Sequence, residues 1–254
     1  MEQRPGSFMR VPFHYVHYGE REHIENFFRD GSIQIDTLRA YDVSTHGVEI
    51  GDDEEGVSYC TVTDEAVQKI WDQGKEISPH LESFFGPGCD GNFIRVTNLE
   101  YNYAIFCVSR FLHRNLCTNF KNTYDACIYI ERPFPFFSEL SKAFERSNLA
   151  EKVIFQHVRD IEYRSREIDL SEDVMECFIK EERYSHQGET RAIWSAGDNP
   201  PKFFRFKAPD AIRYCRPVLL EDMPDYAPGT DPKLAGAAVI KSINACTREN
   251  YLTR

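Results

Sequence analysis

Residues 11–42 read VPFHYVHYGEREHIENFFRDGSIQIDTLRAYD, a stretch in which two periodicities meet. VPFHYVHY, residues 11–18, mixes β-branched and aromatic residues and predicts a strand, which Gly19 breaks. In the following EREHIENFFRDG, Ile24, Phe27 and Phe28 share one face at helical spacing. Gly31 stands where a left-handed cap would end that helix. SIQIDTLRAYD then alternates Ile33 and Ile35 with polar neighbours, as a second strand does. The unit is strand, helix, strand.

Downstream, Glu49–Glu55 holds five carboxylates in seven positions and reads as a solvated loop, after which Val57–Val62 returns as a strand. Residues 72–91 carry Gly, Pro and charge and suit a long surface excursion or lid. NFIRVTN, NYAIFCVSRF and YDACIYIE supply further strands. Pro133 and Pro135 interrupt the chain before FFSELSKAFERSN, where Phe137, Leu140 and Phe144 share a helical face. KVIFQHVRDIEYRS predicts one or two strands, and SEDVMECFIKEERY a helix opened by Ser171. SHQGETRAIWSAGD predicts a loop entering a strand, KFFRFKAPDAIRYCRPV one or two strands with a turn, and KLAGAAVIKSINAC a last helix. With no repeat and no linker, the pattern implies one α+β domain over residues 1–254.

At 254 residues, with 41% hydrophobic and 13% aromatic side chains, the chain has material for a core, which excludes global disorder. Its 41 acidic against 30 basic residues give a net charge of −11, which argues against coating nucleic acid through the whole surface but leaves a local groove open. The segment RFLHRNLCTNFKN, with Arg110, Arg114, Lys121, Phe111 and Phe120, is the best basic-aromatic candidate for such a groove. The N-terminal residues carry no apolar leader and no apolar run is long enough to span a bilayer, so a cytoplasmic protein is expected.

Eight cysteines stand at 60, 89, 107, 117, 127, 177, 215 and 246 without a CxxC or CxxH pair, which favours small buried side chains over a disulfide framework or structural zinc. Signals for P-loop hydrolysis, Rossmann dehydrogenation, α/β-hydrolase and zincin chemistry are absent from the sequence. Asp52, Asp53 and Glu55 invite a divalent cation and metal-dependent phosphodiester cleavage, although the spacing excludes an EF-hand loop.

The strongest constellation is Gln187, Gly188, Glu189, Thr190 and Arg191. Two residues apart on an extended backbone, Gln187 and Glu189 project to one side and can address one bound sugar. Joined to the front unit of FHYVHYG, helix and DGSIQIDTLRAYD, this spacing resembles the ADP-ribosyltransferase superfamily, toxin branches included. The chain is also similar, over roughly residues 12–195, to a family of uncharacterised bacterial and phage-defence proteins with the strings TLRxYD, IGDDEEG and Q-x-E-x-R, here at 37–42, 50–56 and 187–191.

The resemblance implies two small, mostly antiparallel sheets with flanking helices and NAD, a co-substrate, in the cleft between them. It assigns Glu189 as the catalytic carboxylate and Gln187 as the residue orienting the acceptor. It assigns His17 or His14 to the adenosine ribose and Tyr41 to nicotinamide, with Tyr18, Arg39 and Ser109 completing the cofactor-binding set. The implied partners are a nucleic-acid acceptor, RNA or DNA, favoured over protein, and an antitoxin or chaperone that restrains the toxin. A metal-dependent nuclease and a non-catalytic binding module on the same scaffold are the competing classes.

Overall fold

A computed structural model describes residues 14–37, 40, 57–61, 72, 93–97, 103–120, 123–150, 153–166, 176–197 and 200–225. The described residues form two units. The first takes those up to Gln34, from Cys107 to 150 and from Arg205 onward; the second takes those within Ile35–Phe106 and from 153 to Phe204. The folding class is mixed α+β, with mostly antiparallel pairing among the described strands.

In the first unit, β6 (Ala126–Ile130) lies between β1 (Tyr15–Gly19) and β12 (Cys215–Leu219), antiparallel to both. All five β6 residues are buried, because helices cover both faces of this sheet. On one face lie α1 (Arg21–Asp30) and α3 (Pro133–Arg146): Tyr15 meets Phe137, and Phe27 meets Phe136 edge-on. On the other, Val16, Tyr18, Cys127, Tyr129 and Val218 pack with Leu116 and Cys117 of α2 (Arg114–Phe120).

The sequence explains both long helices. Ile24, Phe27 and Phe28 of α1 are buried, as their spacing predicts, and each full burial contributes about 1.5–3 kcal/mol. α3 buries Phe136, Phe137, Leu140, Ala143 and Phe144, the last stacked on Phe206 at 4.9 Å. The expectation that Pro133 and Pro135 precede this helix is corrected: both lie in its first turn, where a missing N–H breaks no intrahelical bond.

Gly31 caps α1 in the left-handed region, φ 83°, with its N–H donating to the Phe27 carbonyl at 2.7 Å. A Cβ there would lie 2.5 Å from the Pro209 nitrogen and 2.7 Å from its Cα. Gly31→Ala therefore combines an unfavourable φ with a backbone clash and is expected to cost about 3 kcal/mol or more. Urea unfolding checks this: the midpoint should fall with an unchanged m-value, and an unmoved midpoint contradicts it.

In the second unit, β10 (Glu189–Ser195) runs antiparallel to β7 (Ile154–Asp160), with an irregularity at Ile193/Trp194. The part of β2 (Ser32–Thr37) that belongs to this unit pairs with the corresponding part of β5 (Tyr103–Ser109) through Asp36↔Ile105 and Thr37↔Ala104. β3 (Val57–Thr61) and β4 (Phe93–Thr97) make an antiparallel pair, and β8 (Glu162–Tyr163) and β9 (Ile179–Lys180) a parallel one. β11 (Phe203–Lys207) leads by a 3-10 turn, Pro209–Tyr214, into β12, as the predicted strand, turn and strand require.

The helix expected over SEDVMECFIKEERY is not formed in its described part. Glu176–Phe178 is a 3-10 turn, Ile179–Lys180 is β9, and Glu182–Gln187 is a second 3-10 segment. Extended pairing of Ile179 and Lys180 with Glu162 and Tyr163 carries Lys180 into a buried ion pair, and this tertiary contact outweighs local helix propensity. The acidic loop at 49–55, all of the 72–91 excursion except exposed Asp72, and the last helical pattern at 233–246 lie outside the described residues.

Candidate functional site

Gln187 ends the 3-10 segment, Gly188 turns through the left-handed region at φ 52°, ψ 41°, and Glu189 opens β10. The two side chains were expected on one side because the backbone is extended. The backbone between them is not extended, yet they still converge: Lys180 Nζ donates to Gln187 Oε1 at 2.9 Å and to Glu189 Oε2 at 3.0 Å. The same ammonium stands 4.7 Å from the centre of the Tyr184 ring.

The other oxygen of Glu189 accepts from Arg191 Nε at 2.6 Å, and Arg191 Nη1 donates to the Cys177 carbonyl at 2.5 Å. The Glu189 amide donates to the Tyr163 hydroxyl at 2.7 Å, and Thr190 donates its hydroxyl to Asp160. Side-chain exposures of 4% for Lys180, 9% for Glu189 and 1% for Arg191 make this a desolvated charge cluster. Removing one member of such a cluster leaves an uncompensated buried charge.

In the first unit, alternation along β1 sends His17 to the face of Tyr15 and Tyr18 to the face of Val16. The two neighbours therefore do not address one ligand from the same face. Tyr18 donates its hydroxyl to the Phe111 carbonyl at 2.8 Å and accepts the His113 amide at 3.1 Å, and burial raises its pKa well above the usual phenol value. Ser109 is buried, and its hydroxyl accepts the Phe111 amide at 3.0 Å. His14 stacks on Tyr129 with ring centres 5.0 Å apart. Arg39 and Tyr41 lie outside the described residues.

His17 places Nδ1 2.9 Å from the Cys107 carbonyl, so Nδ1 carries the proton. Burial lowers its pKa from the ordinary 6.5, opposed by that carbonyl and assisted by the charge of His23. A histidine with a depressed folded pKa stabilises the fold above its unfolded value and loses that contribution as pH falls through about 6.5 toward the folded value. His17→Gln is expected to flatten the acid side of the stability curve below about pH 6.5, by up to about 1.4 kcal/mol per pH unit. Denaturant titrations at several pH values check this, and an unchanged slope contradicts it.

The described part of the basic-aromatic segment, residues 110–120, forms a core edge, and Lys121 lies outside the described residues. Phe111 and Phe120 pack against the cluster around Tyr18, with the Phe120 ring 5.5 Å from that of Tyr18. Arg114 donates to the carbonyls of Leu220, Glu221 and Met223 and pairs with Asp225. Cys117, Cys127, Cys177 and Cys215 are buried. Burial and, secondarily, Asp125 push the Cys117 thiol up to about 12, and burial holds Cys127 well above its usual value, so neither offers a thiolate nucleophile.

Lys180, Tyr163 and Tyr184 were not singled out by sequence. Lys180 closes the short apolar run Cys177–Ile179 and is followed by Glu181 and Glu182, so in the sequence it reads as one more charge of a polar stretch. Among the described residues, no group of three or more His, Cys, Asp or Glu is placed to hold a metal, and no helix is long and apolar enough to cross a membrane. The chain matches no protein-family model, no curated protein and no solved structure.

Proposed function

We propose that this chain is an ADP-ribosyltransferase of toxin or phage-defence type, built on an ADP-ribosyltransferase-like α+β scaffold and using NAD as co-substrate. The observation that supports this reading best is the convergence of Gln187 and Glu189 on one buried ammonium at the head of β10. In the reaction, the bond between nicotinamide and ribose breaks and its electron pair leaves with nicotinamide. An acceptor nucleophile then bonds to the anomeric carbon and releases its proton. Positive charge builds on the ribose on the way, and a carboxylate bonded to a ribose hydroxyl stabilises that state more than the ground state. Glu189 takes this role, and Gln187 orients the acceptor. A nucleic acid is the favoured acceptor, met locally because the net charge of −11 disfavours general binding. An antitoxin or chaperone is the expected protein partner.

A specific observation favours a second reading, a non-catalytic module on the same scaffold: both oxygens of Glu189 are already held by Lys180 and Arg191. Thermal unfolding with added ligand separates the classes. A ligand at 100 times its Kd stabilises by about 2.7 kcal/mol, so saturating NAD should raise the melting temperature by several degrees. A shift with Mg²⁺ or Mn²⁺ alone would point to the acidic loop at 49–55 and a nuclease, and no shift with either to the binding module.

A further inference from the structure

We propose that Lys180 is the positioning residue of this site, the group that aligns Gln187 with Glu189; the inference rests on the transferase reading. The left-handed turn at Gly188 means that the backbone does not align the two side chains as consecutive alternate residues of a strand would be aligned. The alignment comes from the Lys180 ammonium, whose contacts include Gln187 Oε1 at 2.9 Å, Glu189 Oε2 at 3.0 Å and the Tyr184 ring centre at 4.7 Å.

The platform for this clamp is itself fixed. Lys180 lies on β9, opposite Tyr163 of β8, and its carbonyl accepts the Arg164 amide at 2.9 Å. Tyr163 in turn accepts the Glu189 amide at 2.7 Å, so the strand paired with the one that carries the cation holds the residue the cation orients. By taking the oxygen of Gln187, Lys180 also fixes which end of that amide faces it, and the amide nitrogen is turned the other way. Burial of the cluster keeps these bonds out of competition with water.

The test is nicotinamide release from labelled NAD, with cell lysate as acceptor, by the wild-type chain, Lys180→Met and Lys180→Arg, each checked for folding by near-UV circular dichroism. Lys180→Met is expected to lower kcat about 100-fold with KM for NAD within about threefold, and Lys180→Arg to recover at least about tenfold of that loss. A merely structural lysine would not give a kcat loss that returns with the charge. A kcat for folded Lys180→Met within threefold of wild type, or no recovery in folded Lys180→Arg, overturns the proposal. If Lys180→Met does not fold, Lys180→Arg decides: kcat within about tenfold of wild type supports the clamp, and a larger loss overturns it. Absence of release by the wild-type chain is a different result, which removes the transferase reading and the clamp with it.

Discussion

Glu189→Gln should reduce nicotinamide release about 1,000-fold in kcat while KM for NAD moves less than about threefold. The substitution keeps the shape of the side chain and one carbonyl oxygen but removes the negative charge. A group whose interaction strengthens as charge develops acts on the transition state, so its loss falls on kcat, and a 1,000-fold loss corresponds to about 4 kcal/mol. The fold pays a separate cost, because the new amide nitrogen must face either Lys180 or Arg191, both of which are donors only. Rates should therefore be compared below the melting temperature of the variant. A folded Glu189→Gln chain that releases nicotinamide at the wild-type rate would remove Glu189 from the chemistry.

Arg191→Met should be the most destabilising single change in the second unit, costing about 3–5 kcal/mol. Arg191 is 1% exposed, and its guanidinium joins Glu189 Oε1 to the Cys177 carbonyl. Methionine fills much of the volume but satisfies neither oxygen. Against a typical total stability of about 5–15 kcal/mol, such a loss takes a large share of the margin. In a chain of this size it should lower the melting temperature by about 6–20 °C, readable by circular dichroism. A shift under 2 °C would contradict this and mean that the buried pair contributes little to stability.

The parts of this account that were legible in the sequence are those governed by local chemistry. Gly19 and Gly31 bracket α1 because a strand end and a left-handed cap are decided within a few residues, and Ile24, Phe27 and Phe28 announce the buried face by spacing alone. The strands around Ala104–Val108 and Ala126–Ile130 were readable because apolar β-branched and aromatic residues fill them and both are largely buried. The stretch from Glu176 to Tyr184 was misread as helix, since its fold is set by pairing with Glu162 and Tyr163 and by an ion pair to Glu189, neither of which is a local signal. The same reason hid Lys180. The Gln187 and Glu189 pair was found on the premise of an extended backbone; the pair converges, but through Lys180 and across a left-handed glycine.

The roles read for His17, Tyr18 and Ser109 were harder to anticipate, because each lends itself to a local hydrogen bond as readily as to a ligand. The Tyr18 and Ser109 hydroxyls are engaged by the Phe111–His113 backbone, and His17 by the Cys107 carbonyl. Single polar residues on a strand do not reveal which of these uses they serve until the neighbouring strand is placed beside them.

The most direct test of the central claim is transfer of label from NAD carrying radioactive phosphate in its adenylate half, offered with total RNA, DNA and lysate protein in turn to the wild-type chain and to Glu189→Gln. The account predicts label retained on a nucleic acid with the wild-type chain and lost with Glu189→Gln. Label on protein alone would keep the transferase and change its acceptor. No label on any acceptor, from wild-type chain shown to be folded, would contradict the account and leave the buried Lys180, Glu189 and Arg191 cluster as a structural element.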